Sequence, residues 1–145
     1  MGNFSSVQDQ YVPAKAKALR DCARTIPHHD PLRKQLFQQA AQVIFEHNND
    51  ERMPSRHEFD LHGLYREEVI KYIELELRRE KEQLRSRLVF IMGRGLQLTY
   101  NIGVFRQAIV NVFGNDWKSN LSYDYEIGFL NEGRISVAFI HDESN

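Results

Sequence analysis

Hydrophobic positions recur at helical spacing in two stretches near the start of the chain. Across residues 8–24 the stripe is Tyr11, Ala14, Ala18 and Cys22; across 32–48 it is Leu32, Leu36, Ala40, Val43 and Ile44. Both stretches are predicted as short helices that bury one face. They are separated by the breaker Ile26-Pro27-His28-His29-Asp30-Pro31, in which Asp30 reads as an N-cap followed by proline at the first helical position. The run Asn48-Asn49-Asp50 ends the second helix, and a polar linker from Glu51 to Arg56, with Pro54 inside it, follows.

The period then alternates. Glu58 to Leu61 reads as a short strand, and Arg66 to Leu84 as a long amphipathic helix with Val69, Ile73, Leu77 and Leu84 on one stripe. Leu88 to Met92 is an apolar run of buried-strand type. After a glycine-rich turn, a helix from about Gly103 to Phe113 is predicted to bury Phe105, Ile109 and Val112. Two alternating strands close the pattern: Leu121, Tyr123, Tyr125, Ile127 and Phe129 on one face, then Ile135, Val137 and Phe139, joined across Asn131-Glu132-Gly133. The order is βαβαββ. Right-handed crossovers put both helices on one face of a four-stranded mixed sheet, so the expected fold class is α/β, a two-layer sandwich preceded by an N-terminal helical extension. The expected boundaries are 1–50 for the extension and 57–142 for the α/β domain.

Composition narrows the class without naming a function. At 145 residues, 41% hydrophobic and 11% aromatic, the chain has material for one compact domain and an extension, which excludes disorder throughout. No apolar run is long enough to span a membrane. Cys22 is the only cysteine, so no internal disulfide can form; it is expected to pack within its helix, and the chain to reside in the cytoplasm, with the nucleus as the alternative. Met1-Gly2-Asn3-Phe4-Ser5-Ser6 satisfies the N-myristoylation pattern at Gly2, but one acyl chain binds membranes marginally and only Lys15 and Lys17 lie nearby. Stable membrane association is therefore not expected unless Gly2 is acylated.

The formal net charge of −1 excludes a polycation that coats nucleic acid. Arg66, Lys71, Arg78, Arg79, Lys81, Arg85, Arg87 and Arg94 cluster in the middle of the chain, but Glu67, Glu68, Glu74, Glu76, Glu80 and Glu82 are interleaved with them. A salt-bridged, solvated helix face accounts for most of that run.

Two polar motifs fall at the carboxyl ends of the predicted parallel strands, where α/β sheets place their functional crevice. The first is Asp60-Leu61-His62-Gly63 and the second Gly93-Arg94-Gly95. Asp60 and His62, two apart on a strand, share a face, and a carboxylate beside an imidazole makes a competent acid/base near neutrality. Gly63 allows a sharp turn into a helix whose N-terminal amides favour an anion. Arg94, flanked by Gly93 and Gly95, is free for bidentate contact with a phosphate that the backbone can approach closely. The plainer alternative is a strand-end turn, a locally hydrogen-bonded histidine and an ordinary connection with a surface arginine. His28, His29, His47, His57 and His141 show no metal-ligand spacing, and neither a metal nor an organic cofactor is expected.

Phe59-Asp60-Leu61-His62-Gly63-Leu64, then an amphipathic helix, an apolar strand and Gly93-Arg94-Gly95, resembles the small MutS-related (Smr) domain. Its signatures are a Leu/Ile-Asp-Leu-His-Gly-Leu strand end and a Thr-Gly-x-Gly turn. The resemblance runs from about Glu58 to Ile140, and residues Ala40 to Asn49 resemble the helical extension that precedes the domain in many eukaryotic members. It implies a fold similar to the C-terminal domain of translation initiation factor three, and nucleic-acid binding. Several members are endonucleases that nick DNA or cleave RNA, including messenger RNA on stalled ribosomes. Their activity is associated with the Asp-x-His motif and the basic residue of the Gly-x-Gly turn, which correspond to Asp60, His62 and Arg94.

Two positions depart from the pattern. Met92 stands where the family has Thr before the first glycine, and Gln97 where eukaryotic members commonly carry a His. Glutamine can contact phosphate but cannot transfer a proton at neutral pH.

These readings imply RNA or DNA as partner, with a ribosome or another protein supplying targeting. The enzyme expected is a metal-independent endonuclease using Asp60, His62 and Arg94. The alternative is a binding module in which Gly63, Gly93, Arg94, Gly95, Gln97, Tyr100 and Asn101 hold nucleic acid without cutting it. A protein-interaction domain is the third class.

Overall fold

The computed structural model describes residues 12–49, 57–83, 87–92, 98–114, 124–130 and 134–140. They form a mixed α/β chain of four helices and four strands in the order α1 (Ala14–Arg24), α2 (Pro31–Asn48), β1 (Glu58–Asp60), α3 (Arg66–Gln83), β2 (Arg87–Ile91), α4 (Leu98–Phe113), β3 (Asp124–Leu130) and β4 (Arg134–Ile140). The chain divides into two compact units. One comprises residues 1–54 together with 62–64, and the other residues 55–61 together with 65–145.

The first unit pairs α1 with α2, and the 62–64 turn belongs to it. Helix α1 starts directly after Pro13, where the missing amide hydrogen costs nothing, so of the expected start at residue 8 only the part from Ala14 onward is helical among the described residues. Its buried face is Ala16, Arg20 and Ala23, whereas Ala14, Ala18 and Cys22 are exposed. Three members of the expected α1 stripe, Ala14, Ala18 and Cys22, are thus not buried, Cys22 does not pack, and the fourth, Tyr11, lies outside the described residues. A buried arginine occupies the centre of the true face, and an apolar pattern does not register it.

Helix α2 starts as expected. The Asp30 side chain accepts from the Leu32 amide at 3.0 Å, and Pro31 takes the first helical position. Ala40, Ala41 and Ile44 are buried, but Leu32, at the far end of the predicted stripe, is exposed. Arg33 Nη1 donates to the carbonyls of Ala23 and Ile26 at 2.9 and 3.0 Å, tying the start of α2 to the end of α1. Its guanidinium also stands 5.3 Å from the centre of the Phe37 ring.

In the second unit β1 and β2 form a parallel pair, with Phe59 opposite Phe90 and Asp60 opposite Ile91. Strand β2 also pairs antiparallel with β4, and β4 antiparallel with β3, giving the order β1-β2-β4-β3. Leu88, Val89 and Phe90 are all buried, as a central strand requires. The Phe90 ring stacks on Phe59 at 5.9 Å and meets Phe105 of α4 at 6.0 Å, linking sheet and helix in one core.

Helices α3 and α4 pack together, burying Val69, Ile73 and Leu77 from one and Val104, Phe105, Ala108 and Ile109 from the other. Two expectations fail here. Helix α4 begins at Leu98, not near Gly103, because Gly103 sits inside the helix rather than at its start. Glu76 is buried rather than solvated, and is paired with Arg79 at 3.1 Å. Gly114, at φ +84°, ends α4, its amide donating to the Val110 carbonyl at 2.7 Å.

Candidate functional site

The parallel register brings the carboxyl ends of β1 and β2 to one sheet edge. Asp60, the last residue of β1, faces Ile91, the last of β2, and the next amide, that of Leu61, donates to the Ile91 carbonyl at 2.8 Å. Asp60 is half-buried. Leu61 and Met92 are buried, so the strand ends are anchored by apolar side chains on both sides of this pair. Met92 fills with a thioether the position where the Smr pattern carries a hydroxyl.

His62, Gly63 and Leu64 form the turn that belongs to the helical unit. Gly63 has φ +84°, a region that side-chain-bearing residues rarely adopt. The two carbonyls of the turn are both held by helix side chains. Asn48 Nδ2 of α2 donates to the His62 carbonyl at 2.8 Å, and Arg20 Nη2 of α1 donates to the Gly63 carbonyl at 2.8 Å. His62 is half-buried, Leu64 is buried, and Arg20 has no exposed surface. Sequence reasoning missed Arg20 and Asn48. A lone arginine on an otherwise apolar helix face was the available signal.

Helix α3 starts at Arg66, as expected. Glu67 and Glu68 lie in its first turn, and Glu68 Oε1 accepts from the Tyr65 amide at 2.9 Å. This is the returning half of a capping box, so the chain itself supplies the negative charge expected from a phosphate at that helix end. Gly93, Arg94, Gly95 and Gln97 lie outside the described residues, as does Gly2. Tyr100 and Asn101 lie on the first turns of α4 rather than in a loop. Among the described residues, no group of three or more His, Cys, Asp or Glu side chains is arranged to hold a metal ion, and no helix is long and apolar enough to cross a membrane.

The described residues define a mixed α/β protein whose parallel strand pair ends in Asp60 and Ile91. Over 99 residues, 68% of its length, the chain is 31% identical to an Smr domain-containing protein of Schizosaccharomyces pombe. This similarity supports an Smr domain in the chain. The matched stretch covers 44% of that relative, less than half its length. No family model matches the chain, and no solved structure matches it.

Proposed function

We propose that this chain is a nucleic-acid-binding Smr-domain protein that cleaves RNA as an endonuclease. The carrying observation is the register of β1 with β2, which brings the strand end leading into Asp60-Leu61-His62 beside the one leading into Gly93-Arg94-Gly95. The similarity to the Smr domain-containing relative supports the same reading. In it, residues 57–142 are the Smr domain, a two-layer sandwich similar to the C-terminal domain of translation initiation factor three. Residues 1–50 are the helical extension.

RNA is favoured because its 2′-hydroxyl is an internal nucleophile, whereas DNA requires an activated water. The 2′-oxygen attacks phosphorus and the bond to the 5′-oxygen breaks. His62 exchanges the proton at one of these two oxygens and water at the other, while Asp60 orients the imidazole. Arg94 stabilises the charge that develops on the phosphorane. Gly63, Gly93 and Gly95 allow close approach of the strand, and Gln97, Tyr100 and Asn101 contact the ligand on the α4 side. The cleavage proposed is acid/base chemistry without a metal. The few basic residues near the motif leave targeting to a partner, such as a ribosome in the cytoplasm.

The second reading is a module that holds nucleic acid without cutting it, favoured by Gln97 in place of a proton-transferring His. End-labelled single-stranded RNA and DNA, incubated with wild type and His62→Ala with and without EDTA, separate the two. EDTA-resistant RNA cleavage leaving a 2′,3′-cyclic phosphate and a 5′-hydroxyl, and lost in His62→Ala, supports the nuclease. Products with 5′-phosphates and an absolute Mg²⁺ requirement overturn the mechanism. Salt-dependent binding without cleavage selects the binding module, and no affinity at moderate salt selects a protein-interaction domain.

A further inference from the structure

We propose that Arg20 and Asn48 are positioning residues for His62, holding the two peptide planes that flank Gly63 and so setting the direction in which the imidazole leaves the backbone. The inference rests on the reading of His62 as the proton-transfer group, and it assigns to the helical hairpin a part in that chemistry.

Glycine has the widest conformational range of any residue, so a His-Gly turn would by itself leave the backbone on the carbonyl side of His62 loosely defined. Peptide groups are planar, and a plane whose carbonyl oxygen is held cannot rotate freely. Here both planes are held. The His62 carbonyl accepts from Asn48 Nδ2 and the Gly63 carbonyl from Arg20 Nη2, each at 2.8 Å. The first bond fixes the plane that determines ψ of His62, and the second fixes the plane beyond Gly63. Val12 Cγ1 and Ile44 Cγ2 close the remaining space, standing 3.0 and 3.6 Å from where a Cβ on Gly63 would lie.

The chemistry of Arg20 separates this arrangement from mere packing. A guanidinium with no exposed surface is costly to desolvate, and an apolar side chain such as leucine would serve an apolar helix interface at less cost. What leucine cannot do is donate to the Gly63 carbonyl. Asn48 likewise sits on the last turn of α2, where a helix former without a side-chain amide would serve the helix better.

The test uses the full chain as wild type, Arg20→Gln and Asn48→Ala. For each protein three quantities are measured: the thermal transition, RNA cleavage, and the His62 ring resonances with amide exchange across residues 62–64. The expected result is a cooperative transition in both variants and a kcat lowered by about ten- to a hundredfold with KM changed less than about twofold, as misplacement of a catalytic group produces. The His62 ring resonances shift, and exchange across 62–64 speeds up. Folded variants that keep wild-type kcat, or that leave the His62 resonances and exchange unmoved, overturn the proposal. If Arg20→Gln does not fold, the half-buried Asn48→Ala decides by the same criteria. If wild type cleaves no RNA, the nuclease reading fails on its own, and the resonances and exchange still decide whether the two side chains fix the turn.

Discussion

A Cβ placed on Gly63 would stand 3.0 Å from Val12 Cγ1, closer than van der Waals contact allows, on a backbone with φ +84°. Steric strain at positive φ and the blocked space act in the same direction. Gly63→Ala is expected to lower stability by about 1–2 kcal/mol from the backbone term alone, with the contact adding to it. Urea denaturation read by circular dichroism measures the difference, and equal midpoints would contradict the geometry.

Gly103 is the opposite case. It lies within α4, and a Cβ added there meets nothing within 4 Å. Gly103→Ala should raise stability by about 0.5–1 kcal/mol, because the helix keeps its geometry and the unfolded chain loses freedom. A higher melting temperature at unchanged far-ultraviolet signal is the expected observation.

Phe90 has no exposed surface and touches rings on both sides, Phe59 and Phe105. Removing it leaves a cavity that β2, paired on both edges, cannot collapse to fill. Phe90→Ala is expected to cost about 3–5 kcal/mol, whereas Phe90→Leu should cost much less, a contrast that denaturant titration resolves.

The Asp21 carboxyl is held below the usual carboxylate range, chiefly by its hydrogen bond with Lys17, with the charges of Lys17 and Arg24 adding to it against the opposing effect of burial. A folded-state pKa below the unfolded one contributes stability above the unfolded value, and that contribution is lost as pH falls through the folded value. The pair is well exposed, so the contribution is small and salt-screened. Lys17→Met should move the Asp21 titration upward when the carboxyl carbon is followed by NMR; an unmoved titration would mean the ion pair does not form in solution.

How far the fold could be read in advance varied with what filled each buried face. Helix α3 was legible because Val69, Ile73 and Leu77 are apolar and all buried, and the start of α2 because Asp30-Pro31 is a local capping signal that needs no tertiary context. The α1 face was misassigned because its centre is Arg20, and a pattern method puts arginine outside. The start of α4 was misplaced because Gly103 reads as a breaker, although within a packed helix its propensity cost is overridden by the burial of Val104, Phe105 and Ala108. Glu76 reads as solvated because its charge fits the interleaved run; its pairing with Arg79 is local, one turn along α3, whereas its burial comes from tertiary packing. At the candidate site the strand is expected from Glu58 to Leu61 with Asp60 and His62 on one face, but it ends at Asp60, and His62 stands on the turn that follows, so strand alternation does not set their relation. The grip of Asn48 and Arg20 on that turn was not legible either, since it joins positions 14 and 43 residues apart.

Those separations also order the assembly of the molecule. Contacts within the α1–α2 hairpin are local and need little loop closure, while the bond from Arg20 to Gly63 demands that the chain return across 43 positions. Sequence separation therefore favours the hairpin forming first, with the Gly63 carbonyl reaching the Arg20 guanidinium afterwards.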